Sequence, residues 1–115
     1  MSGRFALERG VAQGCPMSPF LYAVFIDSVL NDLYEHCSAD GVPVGDSAWA
    51  RTLVAQLYAD DLASFATTAA GQQRMLNVVR AHSIRWGWDV NTSKTVAVIF
   101  GDALARAAAA KTVFM

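Results

Sequence analysis

The fold of this 115-residue chain is decided by the stretch TLVAQLYADDLASFA, residues 52–66. Residues 52–58 alternate between the two faces of a strand, and residues 62–66 form a second short apolar run. The pair Asp60-Asp61 separates the two runs. Two short apolar runs around a polar turn are typical of a β-hairpin, so the sequence predicts a hairpin with two carboxylates at its tip.

Helical patterns lie on both sides of this hairpin. Apolar residues recur every three or four positions from about Pro19 to Cys37, which predicts a helix with Ser18 as its cap. A second helix is predicted from Gly71 to Trp86, and Gly87 is well placed to end it. The five-residue apolar run from Val96 to Phe100 predicts a buried strand.

The two ends of the chain carry weaker patterns. Arg4 to Glu8 alternates weakly and is a candidate short strand, followed by a loop rich in Gly and Pro. Residues 101–115 form an Ala-rich tail that is either helical or frayed. The order strand, helix, hairpin, helix, strand predicts an α+β fold of the ferredoxin-like split βαβ type. We expect one domain, residues 1–100, in which two helices pack on a small antiparallel sheet.

Composition excludes several classes of protein. With 54 % hydrophobic and 17 % charged residues, the chain is not intrinsically disordered. Its longest apolar run, Phe20 to Ile26, is far shorter than the ~20 residues of a membrane span, and the first ten residues carry no secretory signal. Cys15 and Cys37 are expected to be free thiols in a nuclear or cytoplasmic protein. The scattered His and Cys residues lack the paired spacing of a zinc site.

The net charge of −1 argues against a free-standing nucleic-acid-binding protein, which is usually basic. The charge is uneven, however: eight acidic and three basic residues precede Ala66, and two acidic and six basic residues follow from there. We therefore expect any contact with nucleic acid to be made as part of a larger protein.

Asp60 and Asp61 suggest a metal site on chemical grounds. Two carboxylates about 4 Å apart repel by ~1 kcal/mol in water and by several in a drier site. A divalent cation removes this cost, and Mg²⁺ binds one or two carboxylates together with substrate phosphates. The alternative is that Asp simply favours turns and both side chains are solvated, which is the commoner case for the dipeptide alone.

Three motifs in a fixed order favour the metal site over the solvated turn. They are GVAQGCPMSP (residues 10–19) before a helix, LYADDL (57–62) and WGWDVNTSKT (86–95). Together they resemble the palm domain of a reverse transcriptase, most closely the non-LTR retrotransposon (long interspersed element) type. The resemblance covers about residues 9–100.

The resemblance implies a role for each matching residue. Asp60 and Asp61 would bind the two catalytic Mg²⁺ ions of a polymerase. Tyr58 would lie beside the primer–template end. Gln13 and Gly14 would lie against the incoming nucleotide, because a glycine lets the backbone approach a ligand closely.

The resemblance implies that Lys94 is the cation near the phosphates and a candidate proton donor to the leaving group. The alternative is that Lys94 is an ordinary surface lysine. The implied partners are an RNA template, a DNA primer and deoxynucleoside triphosphates. The implied reaction is RNA-directed DNA synthesis, a nucleotidyl transfer.

The resemblance also implies parts that the chain does not show. A third metal-binding Asp is expected on a strand before the Gln13 loop, where the only acid is Glu8. Fingers and thumb segments are not recognisable either. We therefore expect a polymerase fragment that cannot extend a primer alone and has marginal stability. The alternatives are a catalytically dead remnant that serves as a small α/β interaction module, and a small domain with a chance motif match.

Overall fold

The computed structural model describes residues 14–102. The expected strand at Arg4–Glu8, Gln13 and the Ala-rich tail from Ala103 lie outside the described residues. The described part is an α+β structure of two helices and two small antiparallel sheets, in agreement with the predicted class. In chain order the elements are α1 (Ser18–Cys37), a short 3-10 turn (Ser38–Asp40), β1 (Val42–Val44), β2 (Arg51–Leu53), β3 (Ala55–Tyr58), β4 (Asp61–Ser64) and α2 (Ala69–Trp86).

Helix α1 begins one residue earlier than predicted. Met17 occupies the cap position with helical backbone angles, and Ser18 is already the first helical residue, so the expectation that Ser18 caps the helix is wrong. The backbone N–H of Ser18 instead donates to the carbonyl of Cys15 at 3.1 Å. Pro19 fits here because the first turn of a helix has no acceptor for its N–H groups.

Helix α2 has a defined cap at each end. The side chain of Thr68 accepts a hydrogen bond from the N–H of Gly71, which satisfies one free donor of the first turn. At the other end Gly87 adopts the left-handed conformation (φ 70°), and its N–H donates to the carbonyl of Ser83. The predicted stop at Gly87 is therefore confirmed.

The strands form two separate two-stranded sheets. β3 pairs with β4, with Leu57 opposite Leu62. These strands are shorter than the predicted runs 52–58 and 62–66, because Val54 is fully buried between β2 and β3 and belongs to neither. β1 pairs with β2, with Val42 opposite Leu53. This second pair was missed, since β1 lies in a stretch whose Gly and Pro content predicts a loop.

The predicted strand at residues 96–100 is wrong. Within the described residues this segment has no strand partner, and Val96, Val98 and Phe100 are 79, 71 and 92 % exposed. An extended segment becomes a strand only when a neighbour takes up its backbone hydrogen bonds. The described residues consequently lack the continuous sheet of a ferredoxin-like fold.

The core lies where α1 meets α2 and β3. Its buried apolar members are few and come from all three elements and the link before β3. Partly buried residues that follow α2, Trp88 and Val90, pack against it. The buried apolar residues are Val29, Leu33, Cys37, Val54, Ala55, Met75 and Val79.

Two ion pairs join the same elements at the surface. Arg74 of α2 holds Asp40 through two hydrogen bonds from its guanidinium group, and this keeps the pKa of the Asp40 carboxyl below its usual range. Arg85 of α2 pairs with Asp32 of α1. Arginines at these positions therefore act in the structure of the fold.

Neither helix within residues 14–102 is long and apolar enough to cross a membrane.

Candidate active site

The tip of the β3–β4 hairpin has a strained backbone. Tyr58 pairs with Asp61, so only Ala59 and Asp60 make the turn. Ala59 has φ 54°, the only positive φ of a non-glycine residue within residues 14–102. Two-residue hairpin turns need a positive φ and usually place Gly, Asn or Asp there. An alanine in this conformation costs about 1–2 kcal/mol, and strain of this kind is concentrated at functional sites.

Replacing Ala59 by Gly should relieve this strain. We expect the free energy of unfolding to rise by about 1 kcal/mol or less, because the relief exceeds the extra chain entropy that glycine loses on folding. Ala63→Gly in β4 is the matched control and should lower stability by about 0.5–1 kcal/mol. Urea denaturation measures both variants. Equal destabilisation by the two substitutions would show that Ala59 is not strained.

A cleft separates this hairpin tip from the first turns of α1. Its volume is about 710 Å³ and it is open to solvent. The walls are mainly apolar, and the two acidic side chains that line it are Asp60 from the hairpin and Asp27 from α1. The remaining lining residues are Pro19, Tyr22, Ala23, Ile26, Leu57 and Ala59.

Asp60 and Asp61 are differently placed. Asp60 lines the cleft, but Asp61 lies opposite Tyr58 in the strand pairing and does not. Directly paired residues share one face of a hairpin. Leu57 and Leu62 are on the face that packs on the core, so Tyr58 and Asp61 are on the outer face. Tyr58 is 84 % exposed there.

The described end of the glycine loop leads into the helix that lines the cleft. Gly14 is exposed with φ 82° and lies four residues before Ser18, the first residue of α1. Pro19, in the first turn of that helix, lines the same cleft as Asp60. Beside Gly14, the pKa of the exposed Cys15 thiol is lowered, mainly because the backbone N–H of Met17 donates to its sulfur. Gln13 lies outside the described residues.

Lys94 lies on a separate turn after α2. Its backbone N–H donates to the carbonyl of Asn91, which also accepts from the hydroxyl of Thr95. The side chain of Ser93 donates to the side-chain oxygen of Asn91. Lys94 is exposed and is not one of the residues that line the cleft.

The donor set at the tip suits a metal ion only when a substrate completes it. Among residues 14–102, no three His, Cys, Asp or Glu side chains lie close enough together to hold a metal ion. Mg²⁺, however, binds proteins through as few as one or two carboxylates when phosphates and water supply its other oxygen ligands. Carboxylates at an open hairpin tip therefore fit an ion that is shared with a phosphate substrate.

Comparison with known protein families identifies the chain. The model of one family, described as reverse transcriptase (RNA-dependent DNA polymerase), matches residues 1–113. The chain belongs to the reverse transcriptase family. No solved structure matches it. The described part is thus a fragment of a reverse transcriptase domain, and the family generally uses divalent metal ions, a nucleic-acid template and deoxynucleoside triphosphates.

Sequence reasoning missed part of this reverse transcriptase cleft. The motifs did not point to Asp27 or Tyr22 of α1, but both line the cleft. The signal was available: Pro19, Tyr22, Ala23, Ile26 and Asp27 follow the spacing of one helix face. The spacing alone does not reveal which element that face will meet.

Proposed function

We propose that this chain supplies the metal-binding hairpin of the palm in an RNA-directed DNA polymerase encoded by a non-LTR retrotransposon. One observation carries the proposal: Asp60, at a strained hairpin tip, and the start of α1 line a single cleft. The glycine motif at Gly14 directly precedes that helix. Pro19, at the end of the first motif, and Asp60 of the second are 41 residues apart in sequence and line the same cleft.

In this proposal the residues at the tip have separate tasks. Asp60 and Asp61 would hold the divalent ions, with the phosphates of the substrate completing the set of oxygen ligands. Bound Mg²⁺ supplies activation of the primer 3′ hydroxyl and stabilisation of the leaving pyrophosphate. Tyr58, exposed on the same face as Asp61, offers its ring to the primer–template end. Gly14, together with Gln13, offers backbone to the incoming nucleotide.

Lys94 is proposed to meet the phosphates of the substrate. Support comes from its compact turn, which fixes the backbone through the carbonyl of Asn91, and from the exposure of its side chain. A lysine there would hold a positive charge near the leaving group and could donate a proton to it.

A second candidate function is that of a catalytically dead remnant acting as a small α/β interaction module. The donor set favours it, because no three His, Cys, Asp or Glu side chains within residues 14–102 are close enough together to hold a metal ion. Large exposed apolar side chains such as Trp49 (78 %) also favour a partner surface. Both candidates imply that the 115-residue chain alone does not extend a primer.

Metal binding separates the two candidates. In the full 115-residue chain, Mn²⁺ as a paramagnetic substitute for Mg²⁺ should broaden the NMR signals of residues 58–62 at low occupancy, and a deoxynucleoside triphosphate should strengthen binding. We expect Asp60→Asn to weaken Mn²⁺ binding by about tenfold or more, because a ligand charge is lost. Glu35→Gln removes an exposed carboxylate of α1, outside the hairpin, and should leave Mn²⁺ binding unchanged.

The two possible results are distinct. Broadening at the hairpin that disappears in Asp60→Asn, and persists in Glu35→Gln, supports the polymerase hairpin. Broadening spread evenly over all exposed carboxylates, with no effect of the Asp60 substitution, would support the interaction module instead.

A further inference from the structure

The ring of His82 joins α2, α1 and the segment that follows α2. His82 is only 1 % exposed. The indole N–H of Trp88 donates to its Nδ1 at 3.0 Å, and its Nε2 is 2.7 Å from the hydroxyl of Ser28. The Ser28 hydroxyl donates in turn to the backbone carbonyl of Phe25 at 2.6 Å. Both ring nitrogens are therefore engaged.

This arrangement settles which nitrogen carries the proton. An indole N–H can only donate, so Nδ1 of His82 must be the acceptor and carry no hydrogen. The hydrogen of the neutral ring is then on Nε2 and donates to Ser28. One unbroken chain of donors runs from Trp88 through His82 and Ser28 to the main chain of α1.

This series of hydrogen bonds cannot accommodate a protonated His82 ring. A second proton on His82 would sit on Nδ1 and point at the N–H of Trp88, so that two donors face each other in a buried site. The Ser28 bond is unaffected, because Nε2 remains a donor in both states. The conflict therefore falls on Trp88 alone.

Trp88 is one of two residues that attach the following segment to the core. Residues 88–102 contain no strand and no helix. Trp88 and Val90 are the members of this segment that pack against the buried core. The turn that carries Lys94 and the exposed residues 96–100 both follow from this attachment.

We propose that His82 is a proton-controlled latch, which in its neutral form holds Trp88 and on protonation releases residues 88–102 from the two helices. This inference stands independently of metal binding at the hairpin. It makes the position of Lys94 dependent on pH through a residue that touches no substrate.

The charges around the latch work in both directions. Burial is the main influence and lowers the pKa of His82, Asp32 of α1 raises it, and Arg85 of α2 lowers it. Asp32 and Arg85 pair with each other, and because their charges are opposite, their effects on the pKa of His82 oppose one another. The segment after α2 faces the ring with the uncharged indole of Trp88.

Hydrogen exchange of the full chain tests the latch. After correction for intrinsic exchange, we expect protection of amides 88–95 to fall by at most about tenfold per pH unit as the pH drops from the ordinary histidine pKa of about 6.5 towards the lowered pKa of His82 in the folded protein. Amides in the centres of α1 and α2, which exchange only through complete unfolding, should keep a higher protection than this segment at every pH. In a His36→Gln background that leaves His82 the only histidine, the NMR titration of its ring gives the folded pKa, and the decline in protection should level off there.

His82→Gln is the matched variant, because an amide can accept from Trp88 and donate to Ser28 without titrating. Its protection at residues 88–95 should not change with pH. The proposal is overturned if His82→Gln loses protection as the wild type does, or if the segment and both helices have equal protection at every pH, because the segment would then open only when the whole chain unfolds. Should His82→Gln fail to fold, a wild-type decline in protection that continues well below the pH at which the ring titrates would overturn it equally.

Discussion

Leu33→Ala is expected to lower the free energy of unfolding by about 2–5 kcal/mol, which approaches the whole stability of a small domain. Leu33 is fully buried in the C-terminal half of α1. The core of residues 14–102 has only seven buried apolar residues, so few neighbours can move to fill the cavity. Exposed apolar residues such as Phe100 add little to the stability and cannot offset the loss at Leu33. We therefore expect most of the variant to be unfolded at room temperature.

Leu21→Ala is the matched control on the same helix. Leu21 is half exposed, so the same change of side chain should cost well under about 1 kcal/mol. Circular dichroism of both variants during urea denaturation gives the comparison. A Leu33→Ala protein as stable as Leu21→Ala would show that α1 does not pack as the structure has it.

Acidification is expected to destabilise the chain through His82. Its pKa is lowered in the folded state, mainly by burial, so the unfolded state takes up the proton first. The stability from His82 is fully present above the ordinary histidine pKa of about 6.5. It is lost as the pH falls from there towards the folded pKa, with a slope of at most about 1.4 kcal/mol per pH unit.

Urea denaturation at a series of pH values measures this slope. His82→Gln should flatten the curve between neutral pH and mildly acid pH, because its amide does not titrate. His36→Gln is the control, since His36 is exposed and its removal should leave the curve as it was. A wild-type stability that rises on acidification through this range would contradict the buried neutral ring.

Short-range patterns predicted much of this structure. The helical spacing from Pro19 to Cys37 and from Gly71 to Trp86 places both helices to within two residues. These patterns succeed because an amphipathic helix makes all its backbone hydrogen bonds within itself. The strand predicted at residues 96–100 failed for the opposite reason, since a strand depends on a partner that the described residues do not provide.

The candidate site was only partly predictable. The hairpin follows from local composition, but the position of its turn at Ala59-Asp60, the φ of 54° at Ala59 and the separation of Asp60 from Asp61 do not. Asp27 joined the cleft because α1 faces the hairpin, which is a contact between distant parts of the chain. The hydrogen bonds of His82 were not predicted either, since its partners Ser28 and Trp88 come from different parts of the chain.

By itself the amino-acid sequence determined the α+β class, the two helices and the order of the three motifs, because these depend on neighbours within a few residues along the chain. The tertiary structure alone decided which side chains meet: the cleft between hairpin and α1, the pairing of β1 with β2, and the burial of His82. Such contacts depend on how separate elements pack, and the packing energy is shared among residues far apart in sequence.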